Sequence, residues 1–178
     1  MGNLNNHLHW FDESKRKVLI LCFENSYLKK ISNIISKKEI EIDDSIGFLN
    51  DDIVYKKLSL KLWYLTVNNR YLWKHHFIGS QGLIINFSFE EKVKDDRIIY
   101  EVLNVLNDQN IVGLPTLLLL DENNKDKGVV EKLKKEMNNQ MSEEKLKMVK
   151  FHCIDFINDI NQITTGFDWL CDNMKPLK

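Results

Sequence analysis

The sequence predicts an α/β fold: a mostly parallel six-stranded sheet with one antiparallel edge strand and helices on both faces. Three observations predict it. Near-continuous apolar runs such as "VLILCF", "GLIINF" and "PTLLLL" suit strands buried on both sides. They alternate with segments that are apolar at helical spacing, the order of a sheet with crossover helices. Two further strand-like runs flank the tight "YKK" turn, which is too short for a crossover and so makes an antiparallel pair.

The elements follow in order. Lys17 to Phe23 reads as a strand and Ser26 to Ser36 as a helix, with Ile31, Ile34 and Ile35 on one side. Ile46 to Tyr55 and Leu58 to Leu65 are the paired strands. In the second, Leu58, Leu60 and Leu62 alternate with Ser59, Lys61 and Trp63. Tyr71 to Phe77 reads as a short helix and Gly82 to Phe87 as a buried strand. Glu91 to Leu106 is a helix with Ile98, Ile99, Val102, Leu103 and Leu106 on one side. Pro115 to Leu120 is a buried strand. Gly128 to Lys150 is charged and helical, and Lys150 to Ile154 is a last short strand. Ile160, Ile163, Phe167 and Leu170 mark a C-terminal amphipathic helix.

Composition bounds the function. The chain has 178 residues, 43% of them hydrophobic, enough for one full core. Two prolines and seven glycines leave no linker-like stretch, so residues 17–178 read as one domain preceded by an N-terminal segment, 1–16. A net charge of −1 without clustered Lys and Arg gives no reason to expect a nucleic-acid partner. No apolar run approaches the length of a membrane span or of a signal-peptide core. The three cysteines, Cys22, Cys153 and Cys171, are widely spaced among apolar residues and read as reduced, buried thiols of a cytoplasmic protein. Neither C-x-x-C nor H-x-x-x-H spacing occurs, and adjacent His75 and His76 on a helix would point about 100° apart, so no metal centre is expected. No Cys–His or Ser–His pair is placed by a motif.

"MGN" at the start, "IGF" at Ile46 to Phe48, "VYKKLSLKLW" at Val54 to Trp63, "LWKHHF" at Leu72 to Phe77, "QGLI" at Gln81 to Ile84 and "GFDWL" at Gly166 to Leu170 occur in that order. Together they resemble the ADP-ribosylation factor (Arf and Arf-like) family of small GTPases over nearly the whole chain. The resemblance implies a small-GTPase, P-loop NTPase-like fold. It also implies a phosphate loop G-x-x-x-x-G-K-[ST] after the first strand, where glycines admit the phosphates and the lysine reaches them. Here the loop and first helical turn are Glu24, Asn25, Ser26, Tyr27, Leu28, Lys29 and Lys30. Cys22 and Tyr27 take the glycine places, Leu28 the lysine place and Lys29 the Ser/Thr place. Lys29 and Lys30 come one and two positions late, a rotation of roughly 100° or 200° on a helix.

The other family sites are also degenerate. The D-x-G-G-Q that supports Mg²⁺ and orients water is matched by "YLTVNN", Tyr64 to Asn69. The guanine-reading N-K-x-D is matched by Asn124-Lys125, with Lys127 where its carboxylate belongs. The last base-contact loop is matched by the bulky "DFINDI", Asp155 to Ile160. Ser45 falls at or beside the switch threonine. What survives is the effector side: Phe48 and Trp63 match the family's aromatic patch, with His76 in the tyrosine place. Gly2 resembles an N-myristoylation site, although Asn6 stands where Ser or Thr is usual. One acyl chain binds membranes marginally, and Leu4, Leu8, Trp10 and Phe11 are the apolar residues nearby.

The resemblance therefore implies a pseudo-GTPase that binds protein effectors in membrane trafficking. It would take no cofactor and hydrolyse nothing, in the cytoplasm or peripherally on Golgi or other endomembranes. The alternative is a diverged GTPase that still binds GTP or GDP with Mg²⁺ as a slow switch.

Overall fold

The computed structural model describes residues 14–38, 48–87, 95–121 and 127–175. Among the described residues, six strands form one sheet: β1 (Arg16–Cys22), β2 (Phe48–Tyr55), β3 (Leu58–Leu65), β4 (Ser80–Phe87), β5 (Thr116–Asp121) and β6 (Val149–Ile154). Their spatial order is β2-β3-β1-β4-β5-β6. Only β2 runs antiparallel to its neighbour, and it lies at the edge as the hairpin reading requires. Lys56 and Lys57 turn the hairpin with positive φ values of 44° and 71°, backbone more often given to Gly or Asn.

The helices are α1 (Asn25–Ser36), α2 (Asp95–Leu106), α3 (Lys127–Gln140), α4 (Glu143–Lys147) and α5 (Ile163–Asn173). Alternation along each strand builds two core layers. Val18 and Ile20 of β1 pack with Leu28 and Ile31 of α1 and with Phe167 and Leu170 of α5. Leu19 and Leu21, pointing the other way, join Ile98 and Val102 of α2 and Leu133 and Met137 of α3. β1 and β4 are therefore neighbouring strands whose following helices cover opposite faces. In open α/β sheets that reversal is where a crevice opens beyond the carboxyl ends of the strands.

Some elements differ from the sequence reading. The helix expected at Tyr71 to Phe77 is a longer 3₁₀ segment, Val67–His76. The single charged helix expected from Gly128 to Lys150 is two, α3 and α4, broken at Met141 and Ser142, with Ser142 as the extended N-cap of α4. Met148 and the start of β6 at Val149 end the helical stretch before Lys150. A 3₁₀ turn, Ile160–Gln162, precedes α5. Cys22 and Cys171 are buried and free, but Cys153 is exposed, because β6 is an edge strand whose outer side is incompletely covered. Among the described residues, no helix is long and apolar enough to cross a membrane, and no cluster of side chains could hold a metal ion.

Candidate functional site

The crevice expected beyond the strands would begin where β1 ends. Phe23 donates its backbone N–H to Asn86 O at 3.1 Å, holding the loop against β4. Glu24 is the extended N-cap residue of α1, and Ser26 hydrogen-bonds to its carboxylate. Asn25 is half-buried, and Lys29 and Lys30 are exposed. Lys30 Nζ lies 5.4 Å from the Tyr27 ring centre. Leu28 is fully buried under α1 in the layer with Ile31 and Phe156. Tyr27 reaches across to the end of β5 and the loop after β6. Its hydroxyl donates to Asp121 Oδ2 at 2.5 Å, and its ring meets Phe156 edge-on at 4.6 Å between centres.

Three segments thus converge through side chains: the first turn of α1, the end of β5 and the loop after β6. Asp121 and Phe156 were not singled out in the sequence as site residues. The bulk of "DFINDI" signalled that the last loop had changed, but nothing local pairs Tyr27 with a residue 94 positions away. Asp155 orders that loop by accepting from the backbone N–H groups of Ile157 and Asn158, both at 2.9 Å. In the segment matched to D-x-G-G-Q, Thr66 is fully buried and its carbonyl accepts Trp73 Nε1 at 3.0 Å. Asn124, Lys125, Gly2 and Ser45, and the apolar residues Leu4, Leu8, Trp10 and Phe11, lie outside the described residues.

The second site is the aromatic patch, and its three members are in mutual contact. Phe48 stacks on Trp63 with ring centres 5.0 Å apart. His76 is 4.8 Å from Phe48 and 5.2 Å from Trp63. Trp63 is only 4% exposed, so it is the floor, and half-buried Phe48 and His76 form the surface. Lys17, at the start of β1, supports the floor from the side, with Nζ 4.9 Å from the Trp63 ring centre. It donates to His76 O, and to Ile78 O at 3.0 Å, tying the end of the 3₁₀ segment to the sheet. Burial, and then the Lys61 charge, lower the Lys17 pKa to about 8. Burial, followed by Lys17 and His75, lowers that of His76 below its ordinary value.

On the opposite face, Tyr55 at the hairpin tip donates to Asp168 Oδ1 at 2.6 Å. Lys56 pairs with Asp168 Oδ2 at 2.7 Å, and the Tyr55 ring packs edge-on against Phe167 at 4.8 Å. Burial raises the Asp168 pKa, but the hydrogen bonds from Lys56 and Tyr55, with the Lys56 charge, outweigh it and hold the carboxyl below its ordinary value. Asp168, which carried no assignment in the sequence, clamps the β2–β3 hairpin to α5.

No family model matches the chain. It is 26% identical over 135 residues to ADP-ribosylation factor K of Dictyostelium discoideum, covering 73% of this chain and 69% of that protein. It is 27% identical to ADP-ribosylation factor J of the same organism, over the same shares of the two chains. The fold matches the Arl6 BBS3 small GTPase of Trypanosoma brucei, solved with bound nucleotide analogue GppNp, at a TM-score of 0.68 and 14% identity, over 89% of this chain and 96% of that one.

Proposed function

For a chain that belongs to the Arf/Arf-like family of small GTPases, we propose a role as a pseudo-GTPase: a protein-binding module in membrane trafficking that neither holds GTP tightly nor hydrolyses it. One observation carries the reading. Tyr27, in a glycine place of the phosphate loop, spans the crevice to Asp121 and Phe156. A phosphate chain would have to displace this bridge and sit near a carboxylate. The residues present do not fit GTP and Mg²⁺. Leu28, in the lysine place, belongs to the core and offers no ammonium. Tyr64 to Asn69 supply neither the carboxylate that supports Mg²⁺ nor the glutamine that orients water.

The exposed part of the aromatic patch, Phe48 and His76 over Trp63, is the effector surface of this proposal. Aromatic residues over a packed floor suit the anchor of a protein interface. Membrane attachment belongs to the same proposal, through an acyl chain on Gly2. The competing reading, a slow switch that binds GTP or GDP through altered contacts, draws on the intact strand–loop–helix frame and on the GppNp carried by the solved neighbour.

The two readings separate on nucleotide content. The purified chain is denatured and its extract analysed for guanine nucleotide. The folded chain is then titrated with a fluorescent GTP analogue and Mg²⁺ into the millimolar range. No copurifying nucleotide and no saturable binding are expected. Stoichiometric GDP or GTP in the extract would sink the proposal.

A further inference from the structure

The 3₁₀ segment Val67–His76 has two flanks. His76 serves the aromatic patch, while the flank facing α2 borders a separate cleft of about 260 Å³, lined by Arg70, Tyr71, Trp73, Phe77, Glu101 and Val105, with Lys74 and Asn104 beside them. Its apolar residues are of two kinds. Trp73, Phe77 and Val105 are buried, at 4%, 1% and 8% exposure, and form a fixed floor. Tyr71 is 72% exposed and stands as a wall. Trp73 is held by its hydrogen bond to Thr66 O and by the Phe23 ring, edge-on at 5.4 Å.

The polar rim has one sign in excess. Arg70 Nη1 from the lining, and Arg97 Nε from outside it, approach the two carboxylate oxygens of Glu101, at 2.9 and 3.1 Å. Two guanidiniums on one carboxylate leave one positive charge, and exposed Lys74 adds a second. The volume is below the roughly 300–1,000 Å³ of pockets that enclose drug-sized ligands. It suits one bulky side chain of a larger partner. Tyr, Trp and Arg around such a depression are the composition of interface hot spots.

We infer that the cleft between the 3₁₀ segment and α2 is a docking site for an acidic peptide segment of a partner protein, with one bulky apolar side chain on the Trp73–Phe77–Val105 floor and carboxylates facing Arg70 and Lys74. A second copy of this chain is a poor occupant, because a two-fold contact would set the same cations against one another. The site is distinct from the Phe48–His76 surface and does not depend on whether nucleotide binds.

The test is a selection from a displayed library of random 16-residue peptides on the full chain, followed by synthesis of the enriched sequences. The expected peptides carry Asp or Glu around a Trp, Phe or Leu, and bind more weakly as salt rises. Their affinity should fall at least about tenfold with Lys74→Glu, which reverses a rim charge, and with Asn104→Trp, which fills the cleft. Phe48→Ala should leave it unchanged. Both cleft variants are checked for folding by circular dichroism, and Lys74→Glu, a change at an exposed position, suffices alone. Enriched peptides that ignore both variants, enrichment of basic peptides, an empty selection, or self-association of the chain abolished by Lys74→Glu would each overturn the inference.

Discussion

Tyr27 and Leu28 are neighbours in the chain, and the helix sends them to different places. Successive residues on a helix are turned by about 100°. Once Leu28 faces the core with Ile31 and Ile35, Tyr27 is turned toward the crevice. The resemblance sets the two at the family's glycine and lysine places. Which of them would bridge the crevice was not legible in the sequence, because the hydroxyl's partner is on β5. His76 shows the same division at the aromatic patch. Its place beside Phe48 and Trp63 followed from the resemblance, but its electrostatics depend on burial, Lys17 and His75. The folded imidazole titrates below its ordinary 6.5. Between those two values the unfolded chain binds more protons, so stability falls as the solution is acidified through that window. The urea midpoint of the wild type should therefore drop between about pH 7 and pH 5.5 by more than that of His76→Asn. Asp168 does not confuse the comparison, since its pKa lies below an ordinary 3.8. Equal drops in the two proteins would show that His76 is not the titrating group.

The β2–β3 hairpin was the most legible element. Its alternation set the faces, and the tight turn set antiparallel pairing from Phe48↔Leu65 to Tyr55↔Leu58. Its attachment to α5 was not legible, because Tyr55 and Asp168 are 113 positions apart. Tyr55→Phe keeps the ring contact with Phe167 and removes only the hydrogen bond to Asp168. A loss of about 1 kcal/mol is expected, read as a melting temperature lower by about 2–4 °C. No change would mean that the clamp rests on the ring contact and the exposed Lys56 pair. α5 also shows why "GFDWL" begins with a glycine. A Cβ at Gly166 would come within 2.8 Å of the His152 ring and 3.0 Å of Leu117, so the helix approaches β5 and β6 closely only without one. The 3₁₀ segment and the α3–α4 break were misread for a common reason. Their ends follow from contacts to other elements, such as Lys17 of β1 to the His76 carbonyl, more than from apolar spacing.

Across the whole molecule, the frame of an Arf-like protein is joined by connections that cross it. Tyr27 ties α1 to β5 and the last loop, Lys17 ties the sheet to the 3₁₀ segment, and Asp168 ties the hairpin to α5. A ligand moves such an assembly only by binding two states differently. If the crevice contacts no phosphate, amide hydrogen exchange over the hairpin and the 3₁₀ segment should be the same with and without millimolar GTP and Mg²⁺. Altered protection in β2 or β3 on adding nucleotide would mark the chain as a working switch. The sequence by itself determined the burial of the strands, the antiparallel edge and the resemblance to the Arf family, because these depend on local periodicity and on residues at set spacings. Only the tertiary structure decided how distant side chains meet: that Tyr27 rather than Leu28 reaches Asp121 and Phe156, that Trp63 is a floor and not a surface, and that a cleft opens beside α2. Each of these depends on side chains from segments far apart in the chain meeting in space, and no periodicity encodes such a meeting.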